Sequence, residues 1–229
     1  HVTSKARIHY TTDSGGFAPN IVPPRAGSWY FVRAPYISDV KEILERVRKI
    51  AEGACLMTET SMEMKIDYGC CELLENHSFA DLAYENLKEI ELPAFDKQDM
   101  EFAAELESTI ALENVERASK LYDTEGLPLS VKLGARDLYK INPLTASSDS
   151  GDVSYMMPMC LLSTACWPAA AAPHTWQATA ATGSPIGEKG AISAAQAIAG
   201  IAYDLYTKPE VRENIMKEFR GKQNDYTPM

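Results

Sequence analysis

Residues 28–51, SWYFVRAPYISDVKEILERVRKIA, decide the fold of the first third of the chain. The first part, Ser28 to Arg33, predicts a β-strand. From Ser38, a candidate N-cap, apolar residues recur at helical spacing and predict an amphipathic helix. These apolar residues are Val40, Ile43, Leu44, Val47, Ile50 and Ala51. The stretch therefore predicts a strand followed by a helix, as in a small α+β unit.

Two further segments predict strands on either side of this stretch. Ala6 to Thr11 and Glu63 to Tyr68 alternate between apolar and polar residues, whereas residues 15–24, which contain glycine and proline, predict a loop. The order strand, strand, helix, strand is what remains of a split β-α-β-β-α-β unit that has lost its first strand and helix. We therefore predict a partial, ferredoxin-like domain over residues 1–74.

The remaining residues, 75–229, predict a second domain that is mainly helical. Helix starts are indicated at Ser78, with Asp81 three residues later as in a capping box, and at Pro209 in a first helical turn. Apolar spacing predicts further helices over Lys97 to Leu112 and Ala191 to Leu205.

An irregular connection and one strand interrupt these predicted helices. Pro128, Gly134 and Pro143 mark the connection, and Val153 to Met157 has the composition of a buried strand. Three methionines in and after this segment are expected to fill the core rather than to bind a metal: Met156, Met157 and Met159. The two domains together predict a fold that mixes α/β and α+β parts.

The overall charge excludes one class of partner. The 229 residues are 45% hydrophobic and 24% charged, with a net charge of -10 and a pI near 4.9. This composition is typical of a globular protein. Nucleic-acid binding requires a clustered basic surface, and no basic cluster is visible in the sequence. We expect no nucleic-acid partner.

The cysteines indicate the cellular compartment, and the first residues indicate a fragment of a longer protein. Five cysteines, including the adjacent Cys70 and Cys71, fit free thiols in a reducing compartment better than a disulfide framework. No apolar run is long enough to span a bilayer. A cytoplasmic protein without membrane contact is expected. The opening HVTSKARIHY has no initiator methionine and no helix start, which favours a fragment of a longer protein.

Two segments after residue 145 contain candidate site residues, although general catalytic motifs are scarce. His174 lies in a proline- and alanine-rich loop, where catalytic groups and ligands are common, but a plain loop histidine is the favoured interpretation from composition alone. Asp149 and Asp152 flank Gly151 and could orient a substrate. Because Ser, Asp and Gly are also ordinary turn formers, the turn interpretation is favoured there.

Two residues in the first domain are candidates for substrate binding. Arg33 shares one strand face with Trp29 and Phe31, so its guanidinium could receive a carboxylate bidentately at the end of an aromatic row. The alternative is a strand-end arginine in water. Asn20, in the loop APNIVPP, could instead bond its own backbone, as turn asparagines do.

Taken together, several ordered segments resemble one enzyme family. The segments APNIVPPRAGSWYFVRAP, SSDSGDVSYMMP, PHTWQATA and EKGAISAAQAIA resemble, in that order, the aminobenzoyl-glutamate utilization protein B family. This family belongs to the zinc aminoacylase and carboxypeptidase class. The resemblance implies a ferredoxin-like lid and dimerisation domain over 1–74, and the second half of an α/β metallopeptidase catalytic domain over 75–229.

The resemblance also implies roles for particular residues. His174 falls where the family has its last metal-binding histidine. Asn20 and Arg33 match lid residues that approach the carbonyl and carboxylate of the substrate, and the active-site loop of the family is matched by Ser148, Asp149 and Asp152. The other metal ligands and the general base would precede residue 1, so no catalytic residue is expected in this chain.

The implied activity is metal-dependent amide hydrolysis. Two divalent metals, Zn or Mn, would activate a water molecule in the full-length protein, and the substrate would be a small aminoacyl or aminobenzoyl-glutamate or dipeptide amide bearing a carboxylate. We expect a homodimer through the lid domain and an isolated chain that is inactive. The alternative is a non-catalytic module for dimerisation or for binding a carboxylate ligand.

Overall fold

A computed structural model of the chain describes residues 2–136, 146–222 and 226–229. These residues form a mixed α and β structure with one two-stranded sheet. The strands and helices are β1 (Arg7–Ser14), β2 (Gly27–Arg33), α1 (Ile37–Thr58), α2 (His77–Glu89), α3 (Lys97–Glu107), α4 (Leu112–Tyr122), α5 (Ser150–Met156), α6 (Trp176–Thr182), α7 (Pro185–Thr207) and α8 (Pro209–Lys222). Within the described ranges, no helix combines the length and the apolar composition that are needed to cross a bilayer.

The chain divides into two compact units. Unit 1 contains residues 1–74, 147–156 and 225–229, and unit 2 contains residues 75–146 and 157–224. Unit 1 therefore receives two short segments from late in the sequence. One of them is the loop that carries Ser148, Asp149 and Asp152.

Unit 1 is built on an antiparallel hairpin that leads into α1. Strands β1 and β2 pair with Arg7 opposite Arg33 and with Tyr10 opposite Tyr30, whose rings stack at 5.5 Å between centroids. Most side chains on both faces of this sheet are exposed. Among the described hydrophobic residues of unit 1, only Ile43 on α1 is buried. The sheet in unit 1 is thus thinly covered.

Unit 2 has two hydrophobic cores. The first joins α2, α7 and α8 through Leu82, Ala83, Ile201 and Ile215. The second lies between α3, a loop and the start of α7, and its buried members are Ala103, Leu129 and Ile186. Lys189 on α7 also forms ion pairs with Asp96 and Asp99 at the start of α3. The apolar stripes of the helices therefore supply most of the packing in unit 2.

Two predicted strands are wrong. Residues 63–68 form neither a strand nor a helix: they pair with neither β1 nor β2, and the apolar side chains that alternate along them are exposed rather than buried on one face. The predicted buried strand at Val153 to Met157 is instead the short helix α5 followed by one residue of coil. Val153, Met156 and Met157 are exposed there, so Met156 and Met157 do not fill a core as expected.

Local hydrogen bonds explain why α5 is a helix. The Ser148 hydroxyl accepts a hydrogen bond from the backbone N–H of Ser150 at 3.2 Å, as an N-terminal capping group does. The Ser154 hydroxyl donates to the carbonyl of Gly151 at 2.5 Å and accepts from the backbone N–H of Leu74 at 2.7 Å. The same Ser, Asp and Gly residues that predicted a turn therefore begin a helix.

Several helix boundaries differ from the predicted ones. Helix α1 is confirmed, but its N-cap is Tyr36 rather than Ser38. Helix α2 is capped by Asn76, whose side chain accepts from the backbone N–H of Phe79, and not by Ser78. The helix predicted at Lys97 to Leu112 ends at Glu107, and α4 begins at Leu112.

The last two helices agree better with the sequence. Helix α7 covers the predicted Ala191 to Leu205 segment but begins six residues earlier, at Pro185 after the N-cap Ser184. Helix α8 begins at Pro209 as predicted. Pro143, one of the residues expected in the irregular connection, lies outside the described residues.

Candidate functional site

The candidate residues belong to different units. Five of them lie in unit 1 and one, His174, lies in unit 2. The five in unit 1 are Asn20, Arg33, Ser148, Asp149 and Asp152. The hairpin and the late segment 147–156 are therefore the parts of unit 1 that carry candidate side chains.

Arg33 lies at the end of β2 and is exposed to solvent. Its neighbours on the same strand face, Phe31 and Trp29, have ring centroids 5.1 Å apart, as the alternation predicted. Arg7 lies directly opposite in the sheet, and its guanidinium donates to the carbonyls of Ser4 and Ala6. Two guanidinium groups thus give this end of the hairpin a positive charge that suits a carboxylate ligand.

Asn20 lies in a turn of the loop between the two strands. The backbone N–H of Ile21 donates to the carbonyl of Ala18 at 3.2 Å, and the Asn20 side chain is exposed. In the described part of the chain, no hydrogen bond or ion pair joins Asn20 to Arg33. The structure therefore shows no direct polar contact between these two candidate residues.

The loop before α5 carries the other candidates in unit 1. The Ser148 hydroxyl donates to an Asp149 carboxylate oxygen at 3.2 Å, and both side chains are exposed. Asp152, in the first turn of α5, accepts a hydrogen bond from the Tyr226 hydroxyl at 2.8 Å. The Asp152 carboxylate also acts on the Cys71 thiol, whose pKa is raised to about 11, first by burial and then by this carboxylate.

The pKa of Cys70 is affected by three charged candidate residues of unit 1. Its pKa is raised by burial and by the negative charges of Asp152 and Asp149, while the positive charge of Arg33 acts in the opposite direction. An electrostatic effect from all three residues requires them to lie near the same thiol. Gly151 also lies against the carbonyl of Cys71, which places the start of α5 beside residues 70–72, and the charge of Arg33 acts on the same thiol.

Sequence reasoning missed the residues that complete this group. Glu72 accepts a hydrogen bond from the backbone N–H of Ile37 at 2.9 Å and raises the pKa of Tyr155, which burial and Glu72 together bring to about 12. Tyr155 in turn stacks on Tyr226 at 5.7 Å between ring centroids. The only sequence signal was the adjacent cysteine pair, because Tyr226 stands in a short polar tail far along the chain.

His174 lies at the entry to α6. Its backbone has a positive φ of 64°, an uncommon conformation for a residue other than glycine but one in which histidine is enriched. The next residue, Thr175, is the N-cap of α6, and its hydroxyl donates to the carbonyl of Ala172 at 2.8 Å. The imidazole of His174 is exposed, so it could serve as a single ligand at the surface of unit 2.

The described residues do not by themselves fit a metal ion. Residues 2–136, 146–222 and 226–229 contain no group of three or more His, Cys, Asp or Glu side chains arranged to hold a metal. Structural zinc sites have four ligands, and catalytic zinc sites usually have three from the protein. His174 can thus be at most one member of a ligand set that is completed by other residues.

Comparison with known proteins finds relatives along almost the whole chain. It is 30% identical over 231 residues to a component of the p-aminobenzoyl-glutamate hydrolase of Escherichia coli (strain K12), a match that covers 95% of this chain and 48% of that protein. It is also 24% identical to the Xaa-Arg dipeptidase of Mus musculus over 221 residues, which covers 94% of this chain and 41% of that protein. No family model matches the chain.

The human protein gives a similar result. The Xaa-Arg dipeptidase of Homo sapiens is 25% identical over 224 residues, which covers 94% of this chain and 40% of that protein. The chain therefore spans about half the length, or somewhat less, of the curated relatives it matches.

Proposed function

Because the chain belongs to the aminobenzoyl-glutamate utilization protein B family, we propose that the full-length protein is a peptidase-type amidohydrolase. The proposed substrate is a small aminoacyl-glutamate, aminobenzoyl-glutamate or dipeptide that bears a free carboxylate. Two of the relatives are named dipeptidases and one a hydrolase of aminobenzoyl-glutamate, and both names describe cleavage of an amide bond. The ordered match along 95% of the chain carries this proposal.

The proposed contribution of this chain is to bind the carboxylate of the substrate. Arg33 is exposed at a positively charged end of the hairpin, and a guanidinium can hold a carboxylate through two parallel hydrogen bonds. The aromatic rings of Phe31 and Trp29, on the same face, offer an apolar surface for the rest of the ligand. Asn20, in the neighbouring turn, is proposed to approach the carbonyl group of the substrate.

The loop before α5 is proposed to form another side of the substrate site. Ser148 and Asp149 are exposed hydrogen-bonding groups, whereas the Asp152 carboxylate already accepts a hydrogen bond from Tyr226. We therefore assign direct contact with substrate to Ser148 and Asp149, and a contribution to loop geometry to Asp152. The charges of Asp149 and Arg33 both act on Cys70, which supports placing them in one site.

The proposed cofactor is a divalent metal, Zn or Mn, with two ions in each full-length protein. His174 is proposed as one ligand, because its imidazole is exposed at the start of a helix. Since the described residues do not complete a metal site, the remaining ligands and the general base are proposed to lie elsewhere in the full-length protein. The isolated chain is accordingly proposed to be inactive.

Dimerisation is proposed through unit 1, as a remnant of a ferredoxin-like lid domain. Both faces of its two-stranded sheet expose aromatic side chains, including Tyr10, Trp29 and Tyr30, and large exposed apolar surfaces often mark interfaces. The same observation favours the second candidate function, a non-catalytic dimerisation or carboxylate-binding module. The cytoplasm is the proposed location.

Hydrolysis and metal content of the full-length protein test the proposal. The full-length protein should release p-aminobenzoate from p-aminobenzoyl-glutamate, and the isolated chain should not. In the His174→Ala variant, metal content and hydrolysis should fall together, because a missing ligand weakens metal affinity. His77→Ala, which removes another exposed histidine of unit 2, is the matched control and should change neither. A wild-type protein without hydrolytic activity, but able to bind glutamate-bearing ligands, would instead support the binding module.

A further inference from the structure

The last four residues of the chain pack on α5, the helix that directly follows the loop proposed to contact substrate. The Tyr226 ring stacks on Tyr155 of α5, and its hydroxyl donates to Asp152, also of α5, at 2.8 Å. At the other end of this tail, Met229 packs against Gly69, where an added Cβ would lie 2.8 Å from the Cβ of Met229. Residues 226–229 therefore contact both α5 and Gly69.

Helix α5 depends on such contacts because it has only seven residues. An isolated helix of this length does not persist in water, since too few hydrogen bonds offset the cost of nucleation. Its anchors include Gly151 against the carbonyl of Cys71, Ser154 with Leu74, and Asp152 with Tyr226. All three contacts join α5 to segments that are remote in sequence.

We propose that residues 226–229 form a strap that fixes the loop carrying Ser148 and Asp149, with Tyr226 as a positioning residue that acts through Asp152. The role in catalysis rests on the proposed function, in which this loop contacts the substrate. Tyr226 itself touches no reacting atom in this scheme. Its hydroxyl holds the first turn of α5, and its ring holds the last turn through Tyr155.

The hydrogen bond is the part of the strap that can be removed without removing the packing. Tyr226→Phe keeps the ring that stacks on Tyr155 but deletes the donor to the Asp152 carboxylate. Tyr226→Ala deletes both. A hydrogen bond to a charged group stabilises a folded structure more than one between neutral groups does. Loss of the Tyr226–Asp152 hydrogen bond in Tyr226→Phe should therefore make local opening of the loop measurably more frequent.

Hydrogen–deuterium exchange of the full-length protein tests the strap. Backbone amides of residues 148–156 should exchange about tenfold faster in Tyr226→Phe than in the wild type, and faster still in Tyr226→Ala. Tyr206→Phe, which alters a highly exposed tyrosine on α7, is the control and should exchange like the wild type. Unchanged exchange in both Tyr226 variants would overturn the strap.

Kinetics of the same proteins test the positioning role. Tyr226→Phe should raise KM several-fold for a glutamate-bearing substrate with little change in kcat, because the loop is proposed to bind rather than to react. Faster exchange with an unaltered KM would overturn the positioning role. A wild type that hydrolyses no such substrate would overturn the proposed function, while the exchange rates would still decide whether the strap exists.

Discussion

Unit 1 and unit 2 are stabilised in different ways. All the described hydrophobic residues that are buried lie in unit 2, with the single exception of Ile43. Unit 1 relies instead on polar links between distant segments, such as Glu72 with the backbone of Ile37, Ser154 with that of Leu74, and Asp152 with Tyr226. The unit with most of the candidate site residues is therefore the one with the smaller core, which fits a region whose function is binding.

The largest contrast is expected from matched isoleucine substitutions. Ile201→Ala on α7 removes a buried side chain from the first core of unit 2 and should lower the free energy of unfolding by about 3 kcal/mol. Ile50→Ala on α1 alters a side chain that is 72% exposed and should change the free energy of unfolding by less than about 0.5 kcal/mol. Urea denaturation measures both. Equal losses would contradict the difference between the two units.

A partly buried carboxylate in unit 2, that of Glu218, should give the next largest effect. Glu218 on α8 accepts hydrogen bonds from the backbone N–H groups of His77 and Ser78 at 2.8 and 2.7 Å, and from Lys222 at 2.7 Å. It therefore satisfies the first N–H groups of α2. Glu218→Ala should lower the free energy of unfolding by about 2 kcal/mol, because hydrogen bonds to a charged group are lost. Glu213→Ala, an exposed glutamate on the same helix, should have little effect in the same urea titration.

The same carboxylate predicts how stability depends on pH. Burial raises the pKa of Glu218, but the hydrogen bonds from Lys222, Ser78 and His77 outweigh it and lower the pKa from 4.5 to about 2. Because the pKa of Glu218 is lower in the folded state, its ionised carboxylate stabilises the fold fully above pH 4.5, and this stabilisation is lost as the pH falls towards 2. The melting temperature of the wild type should fall across this window. The slope should be smaller in Glu218→Gln, which has no carboxylate to protonate.

Two glycine substitutions in unit 1 should give smaller and opposite effects. A Cβ at Gly151 would overlap the carbonyl oxygen of Cys71, so Gly151→Ala should destabilise by about 1.5 kcal/mol. Gly53, within α1, has open space around it, and Gly53→Ala should stabilise by about 1 kcal/mol because alanine favours helix. Thermal unfolding of the two variants measures both changes. A neutral Gly151→Ala would mean that α5 is not held closely on residue 71.

Regular periodicity predicted the longer elements, and tertiary contacts decided the rest. Helices α1 and α7 were predicted from apolar spacing over about four turns each and extend to about six turns in the structure, and Pro209 marked the start of α8. The helix α5 was missed because its composition resembles both a turn and a short strand. Its conformation depends on Leu74 and Cys71, which are remote in sequence.

The candidate site was predictable only in part for the same reason. Arg33 and its aromatic row follow from strand alternation, and this arrangement is present in the structure. The charges of Arg33 and Asp149 both act on the pKa of Cys70, and Tyr226 donates a hydrogen bond to Asp152, which is 74 residues earlier in the sequence. Local patterns contain no information about contacts at such separations.

The most direct test of the account is the carboxylate preference of the Arg33→Ala variant. In the full-length protein, this substitution should lower kcat/KM for p-aminobenzoyl-glutamate about tenfold or more, because a charge-assisted pair is lost, and should have little effect on the same substrate with its carboxylates converted to amides. Arg7→Ala, the cross-strand neighbour, is the matched control and should have a smaller effect. An equal loss on both substrates, or no loss on either, would contradict the assignment of Arg33 to the substrate carboxylate.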